Sequence, residues 1–210
     1  MMLDLNTYDA FIFDLGGVLL RIDPANATRA FAGLPFHDFA RDYARVIIEG
    51  WYSQLEAGRL TEDELWRRML PMLSEPVPVA ELEQAWNQML LDFVPENVEW
   101  VRAAGRSRRV FLLSNSNAIH FRRYDADFRR QFGHSLPELF HKAYFSHELE
   151  MLKPEARIYE HVLRDAGLEA GRTLFIDDSL PNVEAARALG IGAIHYKGEG
   201  LRELLGPPLG

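Results

Sequence analysis

The sequence predicts an α/β fold, a doubly wound parallel sheet with an all-helical segment inserted after its first strand. Three observations predict it. Short apolar runs recur along the chain and are nearly continuous rather than alternating, as strands buried on both faces are. Helical patterns separate the later runs, and strand–helix alternation of this kind gives a parallel sheet. A long stretch after the first run carries amphipathic stripes and no good strand.

The strand candidates are Ala10-Phe11-Ile12-Phe13, Val110-Phe111-Leu112-Leu113, Thr173-Leu174-Phe175-Ile176 and Gly192-Ala193-Ile194-His195-Tyr196, with a shorter fifth at Ala143-Tyr144-Phe145. Pro95-Glu96 opens a helix that carries Val98 and Val101 and stops at Gly105, proline at the start and glycine past the end. Another runs from Pro154 with Ile158, Val162 and Ala166 on one face and ends at Gly167. A third begins near Ser179 and ends at Gly190. In the insert, Phe39, Tyr43, Val46 and Ile47 make one stripe. Thr61-Glu62-Asp63-Glu64 is a capping box followed by Leu65, Trp66, Met69 and Leu70. Leu82, Trp86, Met89 and Phe93 make a third stripe, with Ser74 to Pro78 as the linker before it. The expected division is a core of residues 1–21 and 94–210 and a helical cap of 22–93, placed over the carboxyl ends of the strands, where open α/β sheets bind ligands.

Composition narrows the function classes. The 210 residues are 48% hydrophobic and 26% charged, which suits a packed core rather than disorder. A net charge of -8 disfavours nucleic acid and anionic membrane surfaces as partners. The basic run Arg106-Ser107-Arg108-Arg109 reads as a solvated turn. With no cysteine, disulfides, thiolate nucleophiles and cysteine-held zinc are excluded. The start, Met1-Met2-Leu3-Asp4, carries an acid where a secretory leader would be basic, and no apolar run reaches spanning length. The expectation is a cytoplasmic protein. Nothing in the sequence sets its oligomeric state.

The chemistry-bearing residues fall at strand ends and helix starts. Asp14 follows the first strand and precedes Leu15-Gly16-Gly17-Val18. Ser114 ends the second and opens Ser114-Asn115-Ser116-Asn117. Lys153 precedes Pro154, and Asp177-Asp178 ends the third strand, with Ser179 and Asn182 after it. Singly, each has a bland reading as a turn residue, a helix cap or a solvated lysine. An adjacent acidic pair needs a cation or hydrogen bonds to offset its repulsion. Together, a carboxylate, a hydroxyl, a lysine and an acidic pair at one sheet edge suit phosphoryl transfer. Magnesium favours carboxylates plus phosphate oxygens, and a carboxylate can accept a phosphoryl group as an acyl phosphate.

In order and spacing, Phe11-Ile12-Phe13-Asp14-Leu15-Gly16-Gly17-Val18-Leu19, then Leu112-Leu113-Ser114-Asn115, Lys153-Pro154-Glu155 and Phe175-Ile176-Asp177-Asp178 resemble the four motifs of the haloacid dehalogenase superfamily. Ser114-Asn115-Ser116-Asn117, Lys153 to Tyr159 and the cap segment Leu55 to Thr61 are similar to its α-D-glucose-1-phosphate phosphatase branch. The resemblance implies a Mg2+-dependent phosphatase acting on a small phosphorylated metabolite such as glucose 1-phosphate. It implies Asp14 as nucleophile and metal ligand, the Gly16 carbonyl and Asp178 as further ligands, and Asp177 as a direct or indirect metal partner. Ser114 and the Asn115 amide would hold the phosphoryl oxygens, Lys153 would stabilise charge on Asp14 and the phosphoryl group, and Asn182 would orient the acidic loop. Asn117 and His120 are candidates for the pocket wall, with capping and surface exposure as the alternatives.

Two departures stand out. Phosphatases of this superfamily commonly carry a second aspartate two residues after the nucleophile, as general acid and base; here that position is Gly16. Without a proton donor, the expected substrates are those with good leaving groups. A positioned acid or base is worth about 10²–10⁴-fold. Gly16 also leaves open a protein that binds phosphorylated ligands or a partner with little turnover. Dehalogenase members lack the same aspartate, but they need no metal, which leaves the acidic pair unexplained. Receiver domains of response regulators share the ingredients in a different chain order. Glu150 is the second departure, where relatives commonly have glycine, and is expected to add negative charge near the site.

Overall fold

The computed structural model describes residues 4–208, so Met1 to Leu3 of the leader argument lie outside the described residues, as does the side chain of Ile47 from the first cap stripe. Five strands form one parallel sheet: β1 (Ala10–Phe13), β4 (Arg109–Ser114), β5 (Lys142–Phe145), β6 (Thr173–Asp177) and β7 (Gly192–His195). Their spatial order is β5-β4-β1-β6-β7, so β1 is central. All four β1 residues are buried, as the continuous apolar run requires.

Successive side chains point to opposite faces of a strand, and two cores result. Phe11, Phe13, Val110, Leu112, Leu174 and Ile176 enter one. It is closed by α6 (Pro95–Ala104), α7 (Ala118–Phe132) and α11 (Leu201–Leu205). Ala10, Ile12, Phe111, Leu113 and Phe175 enter the other, under α9 (Ala156–Asp165) and α10 (Leu180–Ala188). Truncating Ile12, which is 1% exposed, to alanine should cost about 2–5 kcal/mol. The short helix α8 (Ser146–Leu149) follows β5.

The insert has its own core. It comprises α1 (Pro24–Ala32), α2 (Phe39–Ile48), α3 (Trp51–Glu56), α4 (Glu62–Met69) and α5 (Val79–Asn87). Phe31, Val46, Trp51, Leu55, Leu65, Trp66, Met69, Leu82 and Trp86 pack together, joined by Ile119 from α7. The Thr61 capping box forms at the start of α4 as expected, with Glu64 Oε2 accepting from Thr61 N at 3.0 Å.

The expectation of a strandless insert is corrected. β2 (Leu20–Ile22) and β3 (Leu90–Phe93) pair antiparallel at the junction, Leu20 with Phe93 and Ile22 with Leu90. The third stripe therefore breaks: α5 ends at Asn87, and Phe93 lies on β3 and packs into the core below the sheet. Two strands this short, far apart in sequence, give no periodic signal. Only their pairing makes them a ribbon. Leu70 also leaves its stripe, lying 38% exposed on a 3₁₀ turn.

Candidate active site

Because the strands are parallel, their carboxyl ends share one edge, and the register brings the site residues level. Phe13 pairs with Leu112 on β4 and with Ile176 on β6. The next residues, Asp14 and Asp177, are thus neighbours, and Asp14 N donates to Ile176 O at 2.9 Å. Ser114, at the end of β4, is buried beside them.

Lys153 is 4% exposed and lies between the two acids. Its Nζ donates to Asp14 Oδ1 at 2.7 Å and to Asp177 Oδ2 at 2.7 Å. The ammonium also sits 5.5 Å from the centre of the Phe175 ring. Burial alone would lower the Lys153 pKa, but Asp14 and Asp177 together outweigh it and hold the group above its usual value. Asn115 pins the lysine backbone: its Nδ2 donates to Lys153 O, and its Oδ1 accepts from Lys153 N, both at 2.9 Å. This positioning role of the Asn115 side chain was not expected from the sequence.

Asp177 is fully buried and its oxygens are saturated. Besides Lys153, Oδ1 accepts from Ser179 N at 2.8 Å, and Asn182 Nδ2 donates to Oδ1 and Oδ2 at 3.0 and 3.1 Å. Asn182 thus braces the acidic loop. Asp178 is the exposed member of the pair. Burial, then the neighbouring Asp177 charge, raises its pKa. Burial likewise pushes Asp14 up to about 7, against the lowering pull of Lys153.

Asp14, Asp177 and Asp178 offer oxygens that all lie within 4.8 Å of one another. One lysine cannot neutralise three carboxylates, and an all-oxygen donor set fits a hard divalent cation such as Mg2+. Gly17 lets them approach. It has φ +75°, and a Cβ there would lie 2.1 Å from Asp178 Oδ2.

Asp14, Ser114, Lys153 and Asp178 line a cavity of about 150 Å3, together with Gly16, Asn115, Ser116, Tyr52, Glu56, Met89 and His120. His120 reaches the wall as one of the two alternatives had it. Its Nδ1 lies 3.0 Å from Asn87 Oδ1, and burial pushes its pKa down to about 3, so the ring is neutral. Asn117 is the N-cap of α7, its Oδ1 accepting from His120 N at 3.0 Å. Glu150, expected to add negative charge near the site, is exposed, with φ 55°, and does not line the cavity. Sequence reasoning had no assignment for Glu56 or Tyr52. They stand one helical turn apart on α3, and Glu56 had entered only as part of the cap segment Leu55 to Thr61.

The inserted helices are tied to the rest of the chain beside this cavity. Ser146 Oγ lies 2.6 Å from Glu56 O and accepts from Ser116 N at 2.9 Å, fastening the end of α3 to the loop after β4. At Gly58 (φ +66°) a Cβ would meet His147 O at 2.3 Å. Arg122 of α7 donates to both carboxylate oxygens of Glu62, each at 2.7 Å.

Known proteins are similar to this chain in sequence and fold. D-ribitol-5-phosphate phosphatase of Bacteroides thetaiotaomicron is 27% identical over 85% of this chain and 87% of its own length. A sesquiterpene phosphatase of Aspergillus oryzae is 27% identical over 90% of each chain. A HAD family enzyme of B. thetaiotaomicron, solved with magnesium and inorganic phosphate, superposes with a TM-score of 0.83 at 29% identity, covering 91% of this chain and 96% of that one. The family model described as haloacid dehalogenase-like hydrolase matches residues 8–190, spanning the central strand, the insert and the acidic loop, and the chain belongs to that family.

Proposed function

We propose that the chain hydrolyses a small phosphomonoester through an aspartyl phosphate on Asp14. It is a phosphoric monoester hydrolase of the haloacid dehalogenase-like family and takes Mg2+ as its cofactor. The observation that carries the mechanism is the placement of Asp14: it follows the central strand, with Oδ1 held by Lys153 and its carboxylate within 4.8 Å of that of Asp178 in the cavity wall.

Asp14, Asp178 and the Gly16 carbonyl are the proposed ligands of Mg2+, which supplies charge neutralisation between Asp14 and a phosphate dianion. Asp177 acts on the metal indirectly, by fixing Lys153. Lys153 orients Asp14 and takes up charge developing on the phosphoryl oxygens, as do Ser114 Oγ and the Asn115 N–H. Asp14 then attacks phosphorus, and water cleaves the acyl phosphate. Residues 22–93 act as the cap and 1–21 with 94–210 as the catalytic core.

The substrate class is a sugar or polyol phosphate, with glucose 1-phosphate one member. The small cavity supports this, as does the ribitol phosphate activity in the name of one relative. A second reading has its own observation. An apolar cavity of about 330 Å3 lies within the cap, lined by Phe31, Tyr43, Val46 and Trp86, and it shares Tyr52 and Met89 with the site. An ester with a hydrocarbon tail, as the name of the fungal relative describes, would fill it. Among the described residues no helix is long and apolar enough to cross a membrane, and a cytoplasmic setting is part of the proposal. A phosphate-release screen of sugar, polyol, alkyl and isoprenyl phosphates with magnesium tests the function. Release from none of them overturns it.

A further inference from the structure

The sequence leaves one role empty. Gly16 stands where a proton-transfer carboxylate is expected, and a primary alcohol leaves poorly as an alkoxide. We propose that Glu56, delivered by the cap, is the general acid and base of this site. The inference rests on the phosphomonoesterase reading above.

Three observations carry it. Glu56 lines the same cavity as Asp14, Ser114 and Lys153, and comes from the insert, at the end of α3. Its backbone is fixed to the core: Glu56 O is held by Ser146 Oγ at 2.6 Å, and Ser146 in turn holds Ser116. Two residues on, the positive φ and close approach of Gly58 to His147 O fix the turn. The end of α3 is therefore anchored at the active-site loop, which is what a proton donor needs for a reproducible position. Third, the other titratable groups in the wall are unsuited: Lys153 already donates to Asp14 and Asp177, at 2.7 Å each. Asp14 and Asp178 are committed, His120 is neutral and has no proton to donate from an imidazolium, and Tyr52 and Tyr124 are pushed above their usual values by burial.

The protonation state of Glu56 agrees with the role. Burial pushes its carboxyl up to about 7, against the opposing pull of the Tyr52 hydroxyl and the Lys153 charge. An acid that holds its proton near neutrality can both give and retake it.

The steps balance. As Asp14 Oδ bonds to phosphorus, the bond from phosphorus to the ester oxygen breaks, and the Glu56 proton passes to that oxygen to release the alcohol. The Glu56 carboxylate then takes a proton from water while the water oxygen bonds to phosphorus and the bond to Asp14 breaks. Inorganic phosphate departs, Asp14 is free and Glu56 is protonated again.

The test is kcat/KM for a series of aryl and alkyl phosphates with wild type, Glu56→Gln and Glu56→Gln/Gly16→Asp. Wild type should depend weakly on leaving-group acidity. Glu56→Gln should lose about 10²–10⁴-fold on alkyl phosphates and far less on p-nitrophenyl phosphate, whose leaving group needs no proton. Gly16 has ordinary backbone geometry, and a Cβ there meets only the Ile22 side chain, at 3.3 Å. The added aspartate should therefore fit and restore part of the alkyl activity. A merely structural role for Glu56 would lower all substrates alike, and that uniform loss, or no loss, overturns the proposal. Failure of the phosphatase reading is a separate result: wild type would release phosphate from none of the series.

Discussion

Lys153 Nζ donates to Asp14 Oδ1 and to Asp177 Oδ2 at the same distance, 2.7 Å, and so couples the end of β1 to the end of β6. The lysine thereby serves two purposes. It neutralises a carboxylate that would otherwise be buried beside another, and it fixes the oxygen that attacks.

Lys153→Ala should therefore damage both stability and catalysis. It leaves Asp177, fully buried, without its charged partner. Removing one member of a buried pair costs about 3–5 kcal/mol. Turnover should fall by about 10²–10³-fold, the scale for losing one charge-stabilising donor. Thermal unfolding and kcat check the two effects. A variant as stable and active as wild type would contradict this role.

Gly17→Ala should weaken metal binding more than it weakens the fold. Its Cβ would collide with Asp178 Oδ2 and would sit on a backbone with φ +75°. The strain costs about 1–2 kcal/mol, but Asp178 must shift from the place where its oxygen lies within 4.8 Å of those of Asp14 and Asp177. Asp178→Ala removes the same ligand directly. Both variants should need at least about tenfold more magnesium for half-maximal activity, measured by magnesium titration of phosphate release. Excess chelator should abolish activity in wild type.

How much of this was legible beforehand varies by residue. The strands around Ile12, Leu112 and Phe175 announce themselves, because a continuous apolar run has few other uses, and Asp14, Ser114 and Asp177 follow from their ends. The β2–β3 ribbon was not legible, since Leu20 and Phe93 have no local pattern and are strands only through each other. The partners of the acidic pair were not legible either. Its neutralising base, Lys153, is distant in sequence, and only the fold shows that Asp177 is saturated while Asp178 faces the cavity. Glu56 sits on a short helix, and only the fold shows that its end is held by Ser146 and lines the site.

His120 should make the protein less stable as pH falls. Burial pushes its pKa down to about 3 in the folded state, whereas the unfolded chain binds a proton near 6.5. Between those values the unfolded state holds the extra proton, so stability rises with pH, by at most about 1.4 kcal/mol per unit. This contribution is lost as pH drops from 6.5 toward 3. Denaturant unfolding of wild type and His120→Gln across that window checks it, and the variant should show the shallower dependence. Equal slopes would mean that the ring is not held neutral.

The central claim is a covalent intermediate on Asp14, and acid-quenched mass spectrometry during turnover of p-nitrophenyl phosphate with magnesium tests it most directly. The account predicts a phosphoryl adduct on the peptide containing Asp14, absent in Asp14→Asn, which should fold as wild type and release no phosphate. Steady phosphate release by Asp14→Asn at a rate comparable to wild type, once contaminating phosphatase is excluded, would contradict it.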